Sequence, residues 1–351
     1  MKVLLATENF TERPNEGLLV FALHLSRFLD RECELTVVYN TGEVESTVKA
    51  LKLLSKRMIL THGLLKLLKN DDFDAVIYLP ASGLTAFGLA RCSILKTLSG
   101  CPMILITLQE RIVGSFHRFI SLSSKPDLVL TPVANLRSDL KDIGLRTGFL
   151  MPGYDGGLFR SVDREEKSKL REKYDLPRDK FIILHVGHIK ESRNLQVFLR
   201  YRDWGADIQP VVKGGDVDPA WRDRLRMAGV IVIDEYIENV QELYQASDCY
   251  LFPVFLPTGA LDFPLSVIEA AACNLPVLTT PFGVLPQIIT EGDGICYFEN
   301  PAEVPVKLSR IREITSSTSK KVEGFQWNSV FSKYLMPHLL KTGSIPNRGR
   351  S

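Results

Sequence analysis

Between Leu261 and Ile289 the chain reads LDFPLSVIEAAACNLPVLTTPFGVLPQII, a stretch whose residue types suit a phosphorylated ligand. A loop with Phe263 and Pro264 leads into a helical run that opens at Leu265 and carries Glu269. The apolar run PVLTT follows, then a loop holding Gly283, Val284 and Leu285, after which a second helix starts. Two helix N-termini would then point the same way, and their N–H groups and positive dipole ends suit a diphosphate. A carboxylate one turn into such a helix can accept a hydrogen bond from a ribose hydroxyl. Taken alone, the residues describe a solvated glutamate and an ordinary turn glycine equally well, because one glycine loop carries little information.

A second signal is charge. From Ser46 to Asn70 there are six basic residues (Lys49, Lys52, Lys56, Arg57, Lys66 and Lys69) and no acidic one. At helical spacing Lys49, Lys52 and Lys56 share a face, which suits either a cationic helix resting on anionic lipid or the solvated face of a core-packed helix. The patch has no aromatic residues to stack on bases, so nucleic acid is not an expected partner. His24, His62, His117, His185 and His338 show no mutual metal-ligand spacing and read as surface or core-edge residues. Cys33, Cys92, Cys101, Cys249, Cys273 and Cys296 lie far apart with no C-x-x-C pair, the pattern of scattered thiols in a reducing compartment. No metal site is expected.

Positioning such residues takes a framework. The chain has 351 residues, 45% hydrophobic and 24% charged, with a net charge of +2. Length alone suggests about two domains, and the composition excludes disordered, collagen-like and polytopic membrane chains. The N-terminal segment turns polar after six residues, and no run reaches the ~18 apolar residues of a membrane span. A cytoplasmic protein is expected, with peripheral contact to a membrane through residues 46–70 as the functional reading of the basic stretch.

In the first half MKVLLA, ELTVVY, DAVIYL, PMILIT and DLVLTP are short apolar runs of the kind buried on both faces of a parallel sheet. Helix-length segments such as GLLVFALHLSRFLD separate them. The pattern restarts with FIILHVG, IQPVVKGG, VIVIDEY, DCYLFP, PVLTT and GICYF. The alternation predicts two α/β doubly wound units in tandem. Between them lies the charged stretch Asp163 to Asp179, with a helix over KSKLREKYDLP that Pro177 ends. In open sheets of this type ligands bind beyond the carboxyl ends of the strands, so function is sought in the loops that follow strands.

The Leu261–Ile289 stretch resembles the nucleotide-sugar-binding motif of retaining family-4 glycosyltransferases, roughly E-x-F-G-x-x-x-x-E-A-x-A-C-G-x-P-V followed by G-G-x-P-E. Other pieces fall in the family's order. HVGHIKESRN (His185 to Asn194) looks like its V-G-R-x-x-x-x-K-G turn, ENVQELYQASDCYLFP like the segment before the motif, and LMPGYDGGLF like its interdomain stretch. FQWNSVFSKYL is similar to its last helix.

The resemblance implies a GT-B architecture, two Rossmann-like parallel-sheet domains facing across a cleft. It places an acceptor domain at 1–162, with a C-terminal helix at 326–342 packing back on it. A donor domain follows at 163–325, then a disordered tail at 343–351. It implies no cofactor beyond a nucleotide-sugar donor, and a glycan or glycolipid acceptor. Carried over residue by residue, Glu269 takes the ribose position, while Arg193 takes the family's lysine position and neutralises the diphosphate. Gly283, Val284 and Leu285 offer backbone N–H groups to the phosphates, and Phe263, Pro264 and Leu265 line the sugar; Lys213, after PVVKGG, reads as a further cation or equally as a solvated lysine. Gly17 marks the first loop of the other domain.

Departures from the pattern are specific. Leu261 stands where the family has the first glutamate of its pair, leaving Asp262 as the candidate catalytic carboxylate, and His188 replaces an arginine. Val284 replaces the second loop glycine and Gln287 the following glutamate. Leu108-Gln109-Glu110 stands where many members carry a sugar-facing histidine. The expected activity is retaining transfer of a sugar. A binding-only member and a sugar-nucleotide 2-epimerase are the alternatives that share the fold.

Overall fold

Valine-, isoleucine- and leucine-rich runs can bury both faces only inside a sheet covered by helices on either side. The computed structural model, which describes residues 1–44, 49–53, 61–81, 83–109 and 125–343, builds two such sheets. Met1–Pro152 together with Trp327–Ser351 form one unit, and Gly153–Gln326 form the other.

In the first unit β1 (Lys2–Thr7), β2 (Glu34–Tyr39), β3 (Ala50–Lys52), β4 (Ala75–Leu79), β5 (Met103–Ile106), β6 (Leu128–Leu130) and β7 (Thr147–Gly148) make one parallel sheet. Its order is β3-β2-β1-β4-β5-β6-β7. The order reverses at β1, which pairs with both β2 and β4. Helices α1 (Gly17–Glu32), α2 (His62–Asn70), α3 (Ala86–Ser99) and α4 (Ala134–Asp142) connect the strands. The Thr61 and Thr85 hydroxyls cap α2 and α3 by accepting from Leu64 N and Gly88 N, and Gly100 ends α3 at a φ of 67° that suits glycine.

The second unit repeats the plan. β8 (Phe181–Val186), β9 (Ile208–Lys213), β10 (Ile231–Ile233), β11 (Cys249–Phe252), β12 (Val277–Thr279) and β13 (Ile295–Tyr297) are all parallel, in the order β10-β9-β8-β11-β12-β13. The reversal point is β8, between β9 and β11. Around the sheet lie α5 (Arg164–Lys173), α6 (Pro219–Ala228), α7 (Gln241–Ala246), α8 (Leu265–Ala272), α9 (Leu285–Ile288), α10 (Val304–Ile311) and α11 (Thr318–Val322). Ile183, Phe198, Leu225, Leu251, Leu278 and Phe298 fill one face of the core. The chain then supplies α12 (Trp327–Tyr334) and α13 (Met336–Gly343) to the first unit. There Trp327 stacks on His24, with ring centroids 4.8 Å apart, and Phe331 meets Phe21 edge-on at 5.5 Å.

Several expectations change at the edges of elements. Ala50–Lys52 is an edge strand in register with Val37–Tyr39, not part of a cationic helix. A strand that caps a sheet edge needs only three residues and no apolar run, so its pattern is silent. Within the basic stretch only Lys66 and Lys69 ride a helix, α2, while Lys56 and Arg57 lie outside the described residues. Helix α5 begins earlier than expected because Asp163 caps it, accepting from Glu166 N at 2.8 Å, and it stops before Pro177, where Asp175 takes a left-handed φ of 51°. The division between units falls after Pro152 rather than after 162. Residues 153–162 are held in the second unit by Tyr154 N, which donates to Phe325 O, and by Gln245 Nε2, which donates to the carbonyls of Leu158 and Arg160. Of the expected tail at 343–351, Gly343 is instead the last residue of α13, and 344–351 lie outside the described residues.

Candidate functional site

Because every strand of the second sheet is parallel, the loops after β8, β9, β11 and β12 share one edge. After β8 come Gly187 and His188, and then a 3-10 turn, Glu191–Arg193. Asn194 follows in a left-handed conformation, φ 56°, where the resembled motif has glycine. Asparagine is among the few other residues that enter this region readily, and its side chain donates to Pro253 O at 3.0 Å, tying the turn to the loop after β11. The turn and that loop also meet at Gly259, whose Cβ would stand 2.7 Å from Ser192 O.

Lys213 closes β9, and its carbonyl accepts from Gly187 N at 3.0 Å, so the lysine sits beside the β8 turn. It is not a solvated lysine. The side chain is buried, with Nζ donating to Gly214 O, and burial pulls its pKa below the usual range against the opposing pull of Asp234 and Glu235. His185, read from sequence as a surface or core-edge residue, is fully buried at the end of β8. Its Nδ1 lies 3.0 Å from Leu251 O, a contact that assigns the proton to Nδ1. Burial first, and the Arg193 charge second, push its pKa down to about 3, so the ring is neutral.

The loops flanking α8 and α9 are sewn together. Gly283 takes a φ of 55°, and a Cβ there would stand 2.1 Å from Asp262 O. Val284 N donates to that same carbonyl at 2.9 Å, and Leu285 N donates to Phe282 O at 3.1 Å. This corrects the expected phosphate donors, since the N–H groups of Val284 and Leu285 are engaged by the chain itself. Among the described residues the N–H groups of Gly283, Leu265 and Ser266 have no backbone or side-chain acceptor. The last two open α8, where a helix leaves its first N–H groups unpaired.

The sugar-lining assignment changes as well. Phe263 is fully buried with its ring 6.2 Å from that of Phe325, and Pro264 and Leu265 are buried too. Their side chains are core. Asp262 is partly exposed and contributes its backbone carbonyl to the loop junction.

Glu269 lies one turn into α8 and accepts from the Tyr244 hydroxyl at 2.8 Å. Burial pushes its carboxyl up to about 7, with the Tyr244 hydrogen bond pulling the other way. Tyr244 packs 5.7 Å from Tyr250, which in turn lies parallel to His185 at 6.3 Å. The Tyr250 hydroxyl donates to Val186 O at 3.3 Å and interacts with Ser266. A ladder of buried rings therefore runs from the β8 turn to Glu269.

Gly17 lies in the other unit, as the first residue of α1. Sequence reading missed a cluster there. Glu8, just past β1, accepts from the Tyr78 hydroxyl, from Ala81 N at 2.5 Å and from Arg91 Nη1 at 2.5 Å. Nothing in the local pattern marks it, because its partners come from β4 and α3. Among the described residues no group of three or more His, Cys, Asp or Glu side chains is placed to hold a metal ion. No helix among them is long and apolar enough to cross a membrane.

Residues 180–312 match the family model described as Glycosyl transferases group 1. The chain is 23% identical over 239 residues to a D-inositol 3-phosphate glycosyltransferase of Thermomonospora curvata, covering 60% of this chain and 52% of that protein. It spans about half the length, or less, of the curated relatives it matches. A glycosyltransferase from Rickettsia africae superposes with a TM-score of 0.78 at 14% identity, covering 97% of this chain and 98% of the other. Anabaena HepE in complex with UDP superposes with a TM-score of 0.75 at 14% identity, covering 97% and 100%. The two parallel-sheet α/β units match the fold of GT-B glycosyltransferases.

Proposed function

We propose that the chain, whose residues 180–312 match the glycosyl transferases group 1 model, belongs to that family and moves a sugar from a nucleotide-sugar donor to a glycan or glycolipid acceptor with retention of configuration. The observation that carries this reading is the gathering of Arg193, His188, Lys213, Glu269 and the unengaged N–H groups of Leu265, Ser266 and Gly283 along one edge of the second sheet. Glu269 would hold the ribose. Arg193 would face the departing diphosphate, with the amides of Gly283, Leu265 and Ser266 as oriented dipoles. Fixed positive charge aimed at the leaving group lowers the barrier because it needs no reorganisation during bond cleavage. Asp262 is the carboxylate closest in sequence to the family's missing glutamate, and its proposed role is at the sugar.

Calorimetric titration with UDP, GDP, ADP and CMP tests the reading, with UDP first because HepE is held in complex with it. One nucleotide should bind, and Arg193→Ala should weaken it by about 1.5–3 kcal/mol, the range for hydrogen bonds to charged groups. Unchanged affinity in that variant removes the donor site. Binding without sugar transfer to any acceptor favours the binding-only reading, and release of an isomerised donor favours the epimerase.

A second observation supports a peripheral membrane role for the first unit. On α3, Phe87, Ile94 and Leu98 share one face and are exposed, Phe87 at 78%. Helix α2, packed against α3, exposes Leu65 beside Lys66 and Lys69. Exposed apolar residues with lysines on the neighbouring helix suit an anionic lipid surface. Co-sedimentation with phosphatidylserine vesicles should be lost in Phe87→Ser and Lys66→Glu; retention in both would remove this role.

A further inference from the structure

Gly187 separates two polar groups that converge on the space its side chain would fill. A Cβ at that position would lie 3.1 Å from Arg193 Nη1, 3.3 Å from Arg193 Cζ and 3.2 Å from His185 Nε2. The guanidinium and the outer edge of the imidazole are thus brought to the same gap. His185 is fully buried, and Nε2 accepts no hydrogen bond, although the other ring nitrogen is fixed by the Leu251 carbonyl. A buried acceptor left unsatisfied costs about 1–3 kcal/mol, so a histidine there is retained at a cost that a leucine would not incur. The cost has a use if the lone pair faces a cation.

We infer that His185 is a positioning residue for Arg193, its Nε2 lone pair facing the guanidinium across the gap beside Gly187 and orienting it toward the donor diphosphate. The inference rests on the donor-site reading above. With the proton committed to Nδ1, Nε2 has only a lone pair to offer and attracts rather than repels a guanidinium. The planar fork of arginine suits two phosphate oxygens at once, so turning its plane changes how it meets a diphosphate. Stacking on Tyr250 and the Leu251 hydrogen bond fix the ring plane, so the lone pair has one direction.

The test compares a nucleoside diphosphate with its bare nucleoside, using the diphosphate among UDP, GDP and ADP that the wild type binds. His185→Leu should weaken the diphosphate roughly tenfold, the order of one lost polar interaction with a charged group, and leave the nucleoside unchanged. His185→Gln, which can return an acceptor to the Nε2 position, should recover most of that loss. In an Arg193→Ala background His185→Leu should have no further effect. Equal loss for diphosphate and nucleoside, or full multiplicativity of the two substitutions, overturns the inference.

If His185→Leu does not fold, Gly187→Ala reaches the same contact from the solvent side. Its methyl crowds the guanidinium and should cost diphosphate affinity selectively; wild-type affinity in Gly187→Ala overturns the inference. If the wild type binds no nucleoside diphosphate, or Arg193→Ala binds as well as wild type, the donor reading itself has failed. If Arg193→Ala loses affinity and His185→Leu does not, only the positioning role has.

Discussion

The Tyr244 hydroxyl donates to Glu269 Oε2 at 2.8 Å from a ring that is itself fully buried, which ties α7 to α8 below the candidate ribose site. Tyr244 is held protonated by burial and by the neighbouring carboxylate. Its hydroxyl keeps the proton it donates to the carboxylate, and so favours the ionised form of Glu269 against the burial that opposes it. The balance leaves a carboxyl poised to titrate at about 7.

Nucleotide affinity should follow that titration. An ionised Glu269 accepts from a ribose hydroxyl more strongly than a neutral one, so affinity should rise with pH through about 7. Tyr244→Phe removes the group that lowers the pKa, and should move the midpoint upward. Calorimetry between pH 5.5 and 8.5, roughly one and a half units either side of neutrality, checks both; a flat profile in the wild type would contradict them.

Folding stability carries the opposite sign. The folded-state pKa of Glu269 is raised above the ordinary 4.5 to about 7, so its stabilising contribution is complete below 4.5 and is lost as pH rises through 7. The loss amounts to about 3 kcal/mol across the window. Glu269→Gln keeps a neutral side chain and should show no such decline. Thermal melts of the two proteins at pH 5 and pH 8, about the two ends of the window, should therefore diverge toward alkaline pH.

At Gly283, alanine meets two obstacles at once. The left-handed φ costs a side chain about 1 kcal/mol or more, and the added Cβ would stand 2.1 Å from Asp262 O. Gly283→Ala should lower stability by about 1–3 kcal/mol in urea unfolding. It should also reduce nucleotide affinity, because the Val284–Asp262 hydrogen bond that joins the two loops is displaced with it.

Phe263→Ala separates a core residue from a ligand-lining one. The ring is fully buried against Phe325, so truncation should cost about 3–5 kcal/mol of stability, read by denaturant midpoint. A loss of donor-sugar affinity without that destabilisation would return Phe263 to the sugar site.

Arg171 stitches the second unit from α5. Its guanidinium donates to Asp248 Oδ2 and to the carbonyls of Ala246, Arg178 and Lys180, with only 8% of the residue exposed. Arg171→Met should destabilise by about 2 kcal/mol, less than the ~3–5 of a fully buried pair broken on one side. The discount reflects Lys167, which still pairs with Asp248 at 2.6 Å.

Much of the architecture was legible locally. Runs such as FIILHV and AVIYL are apolar on both faces, which dictates covered parallel strands wherever they occur. The order of loops along the chain then follows from strand and helix spacing alone. Two edge strands, Ala50–Lys52 and Thr147–Gly148, escaped because they are too short and too polar to carry an apolar run.

The site divides in the same way. Residue types placed Glu269 on a helix and Gly283 in a turn, since helix and turn preferences act over a few residues. Which N–H groups remain available was decided by contact between loops some twenty residues apart, where Asp262 O takes Val284 N. The burial of His185 was decided likewise by β11, which supplies the carbonyl of Leu251. A side chain's partners across a sheet are set by strand order, and strand order is a property of the whole unit rather than of any window of its sequence.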